Sequence, residues 1–482
     1  MRWERCNRFK PLPALLGGLL LGLAGADAAN ANDCRSLLQP GEREAPLNRM
    51  AMAAWLRRCL NTAALPMAEA ERLRQEYAAE LAALQFRVDA LDSRSTELEA
   101  QRFSTTTTLR GTTTMVVGGN AFFGTQDSTL TTTQATYGAG MVNYDQKLIL
   151  NTSFTGRDLL NIRLRAGDFD SARNSFGGGG PSRLSELEVA FQEGPTPNLL
   201  GINRAYYQFP LGSNLRATVG GRVNQSVMLG LRPTVYPDDT VLDLFTQGGA
   251  SGAYSSNLGV GAGLIWSQAG LRLSGQYIAG NGQNGDSSRG GVFGANAGSS
   301  TTVQIGYQDS NWRLAAAAAW IENGFGIIDY GSPFVLSSYE NPGLTSSYAL
   351  SGTWQPQRSG WWPSISAGWG LNHTRYDPQV RSTGLVSTSQ SWTLALQWED
   401  VLLQGNAMGG AIGQPIVATA LVGGATPNDS SFVAEWWYQA RITDAITMTP
   451  ALFWLSRPLG ADTPAGTALA QLGLLLKTTL HF

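Results

Sequence analysis

Residues Thr467–Phe482, TALAQLGLLLKTTLHF, decide how the rest of the chain is read. Ala468, Ala470, Leu472, Leu474, Leu476, Leu480 and Phe482 occupy even positions, with Thr478 the one hydroxyl among them. Gln471, Gly473, Lys477, Thr479 and His481 fall on odd ones. A period of two places one face of a strand against apolar surroundings and the other against water. A long strand of this kind, ending on an aromatic residue, suits a barrel whose last strand pairs with its first and removes both sheet edges.

Composition agrees. Of 482 residues, 15% are charged and 43% hydrophobic, the mean hydropathy is -0.12, and 57 are Gly. That is little charge for a soluble chain and too little hydrophobicity for a helical membrane protein, whereas a barrel turns only alternate residues to lipid. A formal charge of -2 excludes a basic footprint for nucleic acid. Residues 1–31 read as a signal peptide: Arg2, Arg5, Arg8 and Lys10 precede an apolar stretch, and Ala29-Asn30-Ala31 forms a cleavage site. No later apolar run reaches the ~18 residues of a transmembrane helix. Cys34 and Cys59 remain after cleavage and can close a disulfide worth on the order of 3 kcal/mol, the alternative being two free thiols. Two cysteines are too few for a zinc site.

Residues 32–66 include a helical pattern at Leu47–Asn61, and residues 67–102 are rich in Ala, Glu, Leu and Arg without Gly or Pro. Tyr77, Leu81, Leu84, Val88, Leu91 and Leu98 step by four and three, with Ser95 in the one gap. That spacing predicts a short coiled coil or an amphipathic helix packed on its own chain.

From Phe103 the chain changes to β-branched, threonine-rich sequence. Short turns recur at Gly156–Asp158, Leu211–Asn214, Ser267–Gly270, Asp309–Asn311, Gln355–Trp361, Glu399–Gln404 and Thr443-Asp444. Seven hairpins, one strand from Phe103 and the final strand predict an all-β barrel of about 16 antiparallel strands over 103–482. Longer connections, including 118–145, 170–202, 224–256, 280–300 and 321–344, fall at the opposite end from the turns. The helical segment, leading into the first strand, is placed on the short-turn, periplasmic side. Ala315–Ala319 is read as strand, between Trp312 and Trp320.

Parity sorts the side chains. Leu215, Val219, Val223, Leu258, Val260, Leu264, Trp266, Leu271, Leu273, Tyr277, Val303, Ile305, Tyr307, Trp392, Leu394, Leu396 and Trp398 take the lipid side. The opposite parity carries Arg110, Lys147, Arg163, Arg165, Arg204, Arg216, Arg222, Arg272, Arg313, Arg441 and Lys477, with Glu435 as the only acid. An Arg facing mid-bilayer costs ~2–4 kcal/mol, which explains the sorting.

With His373 and His481 the only histidines, no nucleophile–base pair is marked, and neither an enzyme nor a cofactor is expected. A barrel of this size is too wide for its own side chains to fill. The expected function is a water-filled channel, anion-preferring because eleven lumen-parity charges are basic. Asp238, Asp239 and Asp243 would face those arginines if loop 224–256 folds inward; the other reading leaves them in solvent. A structural barrel tethering membrane to wall is the alternative function.

FSTTTTLRG (103–111), TSFTGRDLLNIRLRAGDF (152–169), YYQFPLGSNLRATVGG (206–221), GNAMGGAIGQP (405–415) and ITDAITMTPALFW (442–454) together resemble cyanobacterial outer-membrane porins, both OprB-type carbohydrate-selective and iron-uptake. The resemblance runs from Leu47 to Phe482. It implies a homotrimer in outer-membrane lipid that passes small solutes, and an S-layer-homology domain gripping peptidoglycan-linked polymer. Leu47–Asn61 resembles only the last helix of that domain, so the expectation is a truncated remnant, and the grip on polymer is not carried over. Phe482 is expected to act as the membrane-insertion signal.

Overall fold

The computed structural model describes residues 67–84, 86–87 and 106–482 apart from 239, 325 and 425. The signal peptide, Cys34, Cys59, the S-layer-like remnant and the coil positions beyond 87 lie outside them. The chain divides into two units, 1–102 and 103–482. In the first, α1 spans Met67–Glu76, and helical backbone continues over 78–84 with Leu81 and Leu84 half-buried. No described helix is long and apolar enough to cross a membrane.

The second unit is a closed antiparallel barrel of sixteen strands, each paired with its neighbours in sequence. The first eight are β1 (Thr107–Gly124), β2 (Met141–Thr152), β3 (Leu159–Gly167), β4 (Gly201–Pro210), β5 (Leu215–Asn224), β6 (Leu258–Gln268), β7 (Leu271–Ala279) and β8 (Ser299–Gln308). The others are β9 (Trp312–Glu322), β10 (Gly343–Trp354), β11 (Ser364–Tyr376), β12 (Val386–Glu399), β13 (Ala407–Leu421), β14 (Val433–Arg441), β15 (Ile446–Leu455) and β16 (Leu469–His481). β16 closes on β1 from Thr112↔His481 to Gly124↔Leu469. The strand count matches the sequence reading, and the seven turns fall where the hairpin signals stand.

The first long connection is shorter than expected, 125–140 against 118–145. The strand continues because Val117, Ala121 and Phe123 keep the outward alternation. Gly118 fits at the seam with β16, where a Cβ would lie 2.4 Å from the Leu474 carbonyl. The loop itself carries α2 (Ser128–Tyr137), capped by Asp127, whose Oδ1 accepts the Leu130 N–H at 2.9 Å.

The outer surface follows the predicted parity: Val219, Leu264, Leu273, Val303, Ile305, Tyr307 and Leu394 are exposed, as are Trp312, Trp320 and Trp436. Val223 departs from it. The pairing of β5 slips at Gly220–Val223, and Val223 is fully buried against Met228 and Ile278. A bulge shifts every later side chain to the other face, because the period is two.

Candidate functional site

Loop 225–257 folds into the barrel. It first meets β7 and β8, where Gly230 N–H donates to Ser274 Oγ at 3.0 Å and Leu231 N–H to Gln304 Oε1 at 2.8 Å. It then crosses to β11, with Val235 N–H on Ser366 Oγ at 3.1 Å. At β14, Tyr236 Oη and Leu242 N–H donate to the two oxygens of Glu435 at 2.8 and 2.7 Å. Lys477 Nζ, on β16, donates to the Thr240 carbonyl at 3.1 Å. The loop returns by β12, where Ser391 Oγ donates to Gly249 O at 2.8 Å.

The loop stays there because this part of the inner wall is partly apolar. Val433, Trp437, Phe453, Leu455 and Leu475 face inward and bury Tyr236, Leu242, Leu244 and Phe245 of the third loop. Phe176, Leu184 and Leu187 of the second loop, 168–200, join the same cluster. Each large side chain buried contributes roughly 1.5–3 kcal/mol. The two loops also pair with each other through Leu187↔Leu242, with Glu188 N–H on Val241 O at 3.1 Å and Asp243 N–H on Glu186 O at 3.2 Å.

The next strands around the barrel past the β1–β16 seam, β2 to β4, carry a row of partly buried charged groups. Lys147, Arg163, Arg165 and Arg204 share the lumen-facing rows of β2, β3 and β4. Asp145 lies among them. Its oxygens accept Arg165 Nε at 2.6 Å and Arg165 Nη2 at 3.0 Å, and Lys147 Nζ stands 3.2 Å away. Arg165 also donates to Val189 O at 3.2 Å and covers the Phe191 ring at 4.4 Å. Glu188, on the inserted second loop, is near enough to act electrostatically on Arg163, Arg204 and the third-loop Arg232. The lumen is therefore asymmetric, with an apolar dock on β14 to β16 and a basic row on the nearby β2 to β4 that the second loop also reaches.

Where the loops meet, Arg183 binds Glu186 and Asp329, both at 2.9 Å. Burial pushes the Glu186 carboxyl up to about 7, against the pull of Arg183. Burial also pushes Asp243 up to about 6, and Glu188 adds to it.

No protein-family model matches the chain. Over 453 residues it is 30% identical to the uncharacterized protein alr4550 of Nostoc sp., a match spanning 86% of this chain and 72% of that protein. The chain belongs to this Nostoc protein's family. The uncharacterized protein sll0772 of Synechocystis sp. is 27% identical over 458 residues, 86% of this chain and 78% of the relative. Among solved structures, Pseudomonas putida OprB is similar at 10% identity and a TM-score of 0.49, over 78% of this chain and 94% of that one.

In this family member the remaining basic positions are spread along the barrel. Arg110 and Arg216 are exposed at the short-turn mouth. Arg272 donates to Ser267 Oγ at 3.0 Å and Arg313 to Gln355 Oε1 at 3.3 Å. Arg441 pairs with Asp444 at 2.6 Å by a short turn. Arg222 leaves the lumen row. The same slip that buries Val223 sets Arg222 opposite Ala205, and its guanidinium stands 3.5 Å from Glu193.

The expected acidic constriction also differs. Asp243 is occupied by Tyr330 Oη and, at 2.8 Å, Thr246 Oγ1, so it joins loops instead of facing the arginines. Asp238 pairs with Arg232. Asp239 lies outside the described residues. The acid that pairs with the wall is Asp145, and Glu188 acts on it from a longer distance. Asp145 falls inside 118–145, which reads as the first loop, and the alternation Glu186-Leu187-Glu188-Val189 is the signal for the other.

Proposed function

We propose that the chain is an outer-membrane porin, a narrowed water-filled channel for passive diffusion of small hydrophilic solutes. The observation that carries this reading is the combination of an exposed apolar exterior with an inner wall that carries Lys147, Arg163, Arg165 and Arg204 on adjacent strands. Only lipid suits such an exterior, and only water or solutes suit a row containing Lys147, Arg163 and Arg204. The basic wall, partly balanced by Asp145 and Glu188, favours anions. The resemblance to OprB-type porins supports the same class.

The assembly we propose is a homotrimer, with the seam from Tyr77 to Leu98 as its coil on the short-turn, periplasmic side. Phe482 acts as the insertion signal, and Cys34 with Cys59 as a periplasmic disulfide. No enzymatic step is assigned.

Liposome swelling tests the channel. Vesicles containing the purified protein should swell in small neutral solutes at rates that fall steeply with solute size. Swelling no faster than in empty vesicles would rule out diffusion through this barrel.

A further inference from the structure

Arg163 and Arg204 stand directly opposite each other on β3 and β4, both facing the lumen. Like charges opposed across two strands destabilise a sheet, so this placement needs a compensating partner. Neighbouring cations have theirs: Arg165 and Lys147 share Asp145, and Arg222 reaches Glu193. Among the described residues neither Arg163 nor Arg204 has a carboxylate within salt-bridge distance. Arg163 Nε and Arg204 Nε and Nη1 are buried N–H groups without a hydrogen-bond acceptor.

The backbone is adapted to this arrangement. Asn203 is an extra residue in β4, since Arg163 pairs with Arg204 while Leu164 already pairs with Ile202. A bulge of this kind re-aims a side chain beside a functional site. Without it Arg204, two residues on, would share the lipid-facing side of the exposed Ile202. Tyr206, half-buried, follows on the same lumen-facing row.

We infer that Arg163 and Arg204 form a binding site for a small inorganic oxyanion at the inner wall, a station on the path of the channel proposed above. Two guanidinium groups supply planar forks of donors that match the oxygens of such an anion, and its negative charge relieves their repulsion. The inference rests on the channel reading only for the site's role in permeation; the site itself can be tested without it.

The probe is inorganic phosphate, titrated into the full-length detergent-solubilised protein by calorimetry and, separately, into KCl during single-channel recording. Wild type should bind phosphate saturably, and phosphate should reduce chloride current saturably. Arg163→Gln with Arg204→Gln should raise the half-saturating concentration about tenfold or more. Arg163→Lys with Arg204→Lys should recover part of the loss, and Arg289→Gln, exposed on the loop after β7, should leave the half-saturating concentration unchanged. Heat-modifiable mobility confirms that each variant is folded. Equal half-saturation in wild type and the Gln pair, or no saturable binding in wild type, would overturn the site. Binding that disappears in the Gln pair, with no KCl current from any form, would uphold the site and refute the channel.

Discussion

Tyr236 donates its hydroxyl hydrogen to Glu435 Oε1 at 2.8 Å and accepts the indole N–H of Trp437 at 2.7 Å. This pair fastens the third loop to the inner face of β14, with Leu242 N–H on the second oxygen of Glu435. Glu435→Ala leaves Tyr236 Oη with one lost acceptor and the buried Leu242 N–H with none, at about 1–3 kcal/mol for each orphaned group. The loop should detach locally while the barrel stays closed. Hydrogen exchange at 231–245 should quicken with strand protection unchanged; unaltered exchange there would mean that the apolar cluster alone holds the loop.

The loop junction should respond to pH. Glu186 and Asp243 ordinarily titrate at 4.5 and 3.8, and the fold raises them to about 7 and about 6. A raised carboxyl favours its protonated form in the folded state, so the contribution to stability is present at low pH. It is lost as pH rises from about 4 to about 7. Loops 168–200 and 225–257 should therefore be more resistant to proteolysis at pH 5 than at pH 8. Glu186→Gln should reduce that difference, and equal resistance at both values would refute it.

Phe482 and Gly111 exchange two backbone hydrogen bonds, 3.0 Å from Phe482 N–H and 2.7 Å from Gly111 N–H. The Phe482 ring lies over Gly111, where a Cβ would be 2.1 Å from a ring carbon. Removing Phe482, or replacing Gly111 by Val, should slow barrel closure, leaving more protein in the periplasm. Surface exposure and heat-modifiable mobility check this, and wild-type behaviour of both variants would count against a closing role.

The coil should set the oligomeric state. Leu84→Asp with Leu91→Asp should dissociate the proposed trimer in mild detergent. Unchanged cross-linking would place the helix against its own subunit.

The strands were legible because period two and turn residues survive without knowledge of neighbours. Where both faces carry aromatic residues the signal fails. Trp436-Trp437 and Phe453-Trp454 each place one ring outward and one in the inner cluster, so the apolar dock for the loops could not be separated from the exterior by hydropathy. The slip at Gly220–Val223 and the extra Asn203 depend on partner strands, which no local pattern encodes. The basic wall was visible as parity, but Asp145 was hidden because its strand starts at Met141, inside what reads as loop.

The most direct test of the channel is single-channel recording in a planar bilayer under a KCl gradient. Discrete steps with a reversal potential displaced toward chloride are expected, moving toward potassium in Arg163→Gln with Arg204→Gln. A wild-type pore that is strongly potassium-selective would contradict the basic wall as the controlling feature, and the absence of steps would contradict the channel itself.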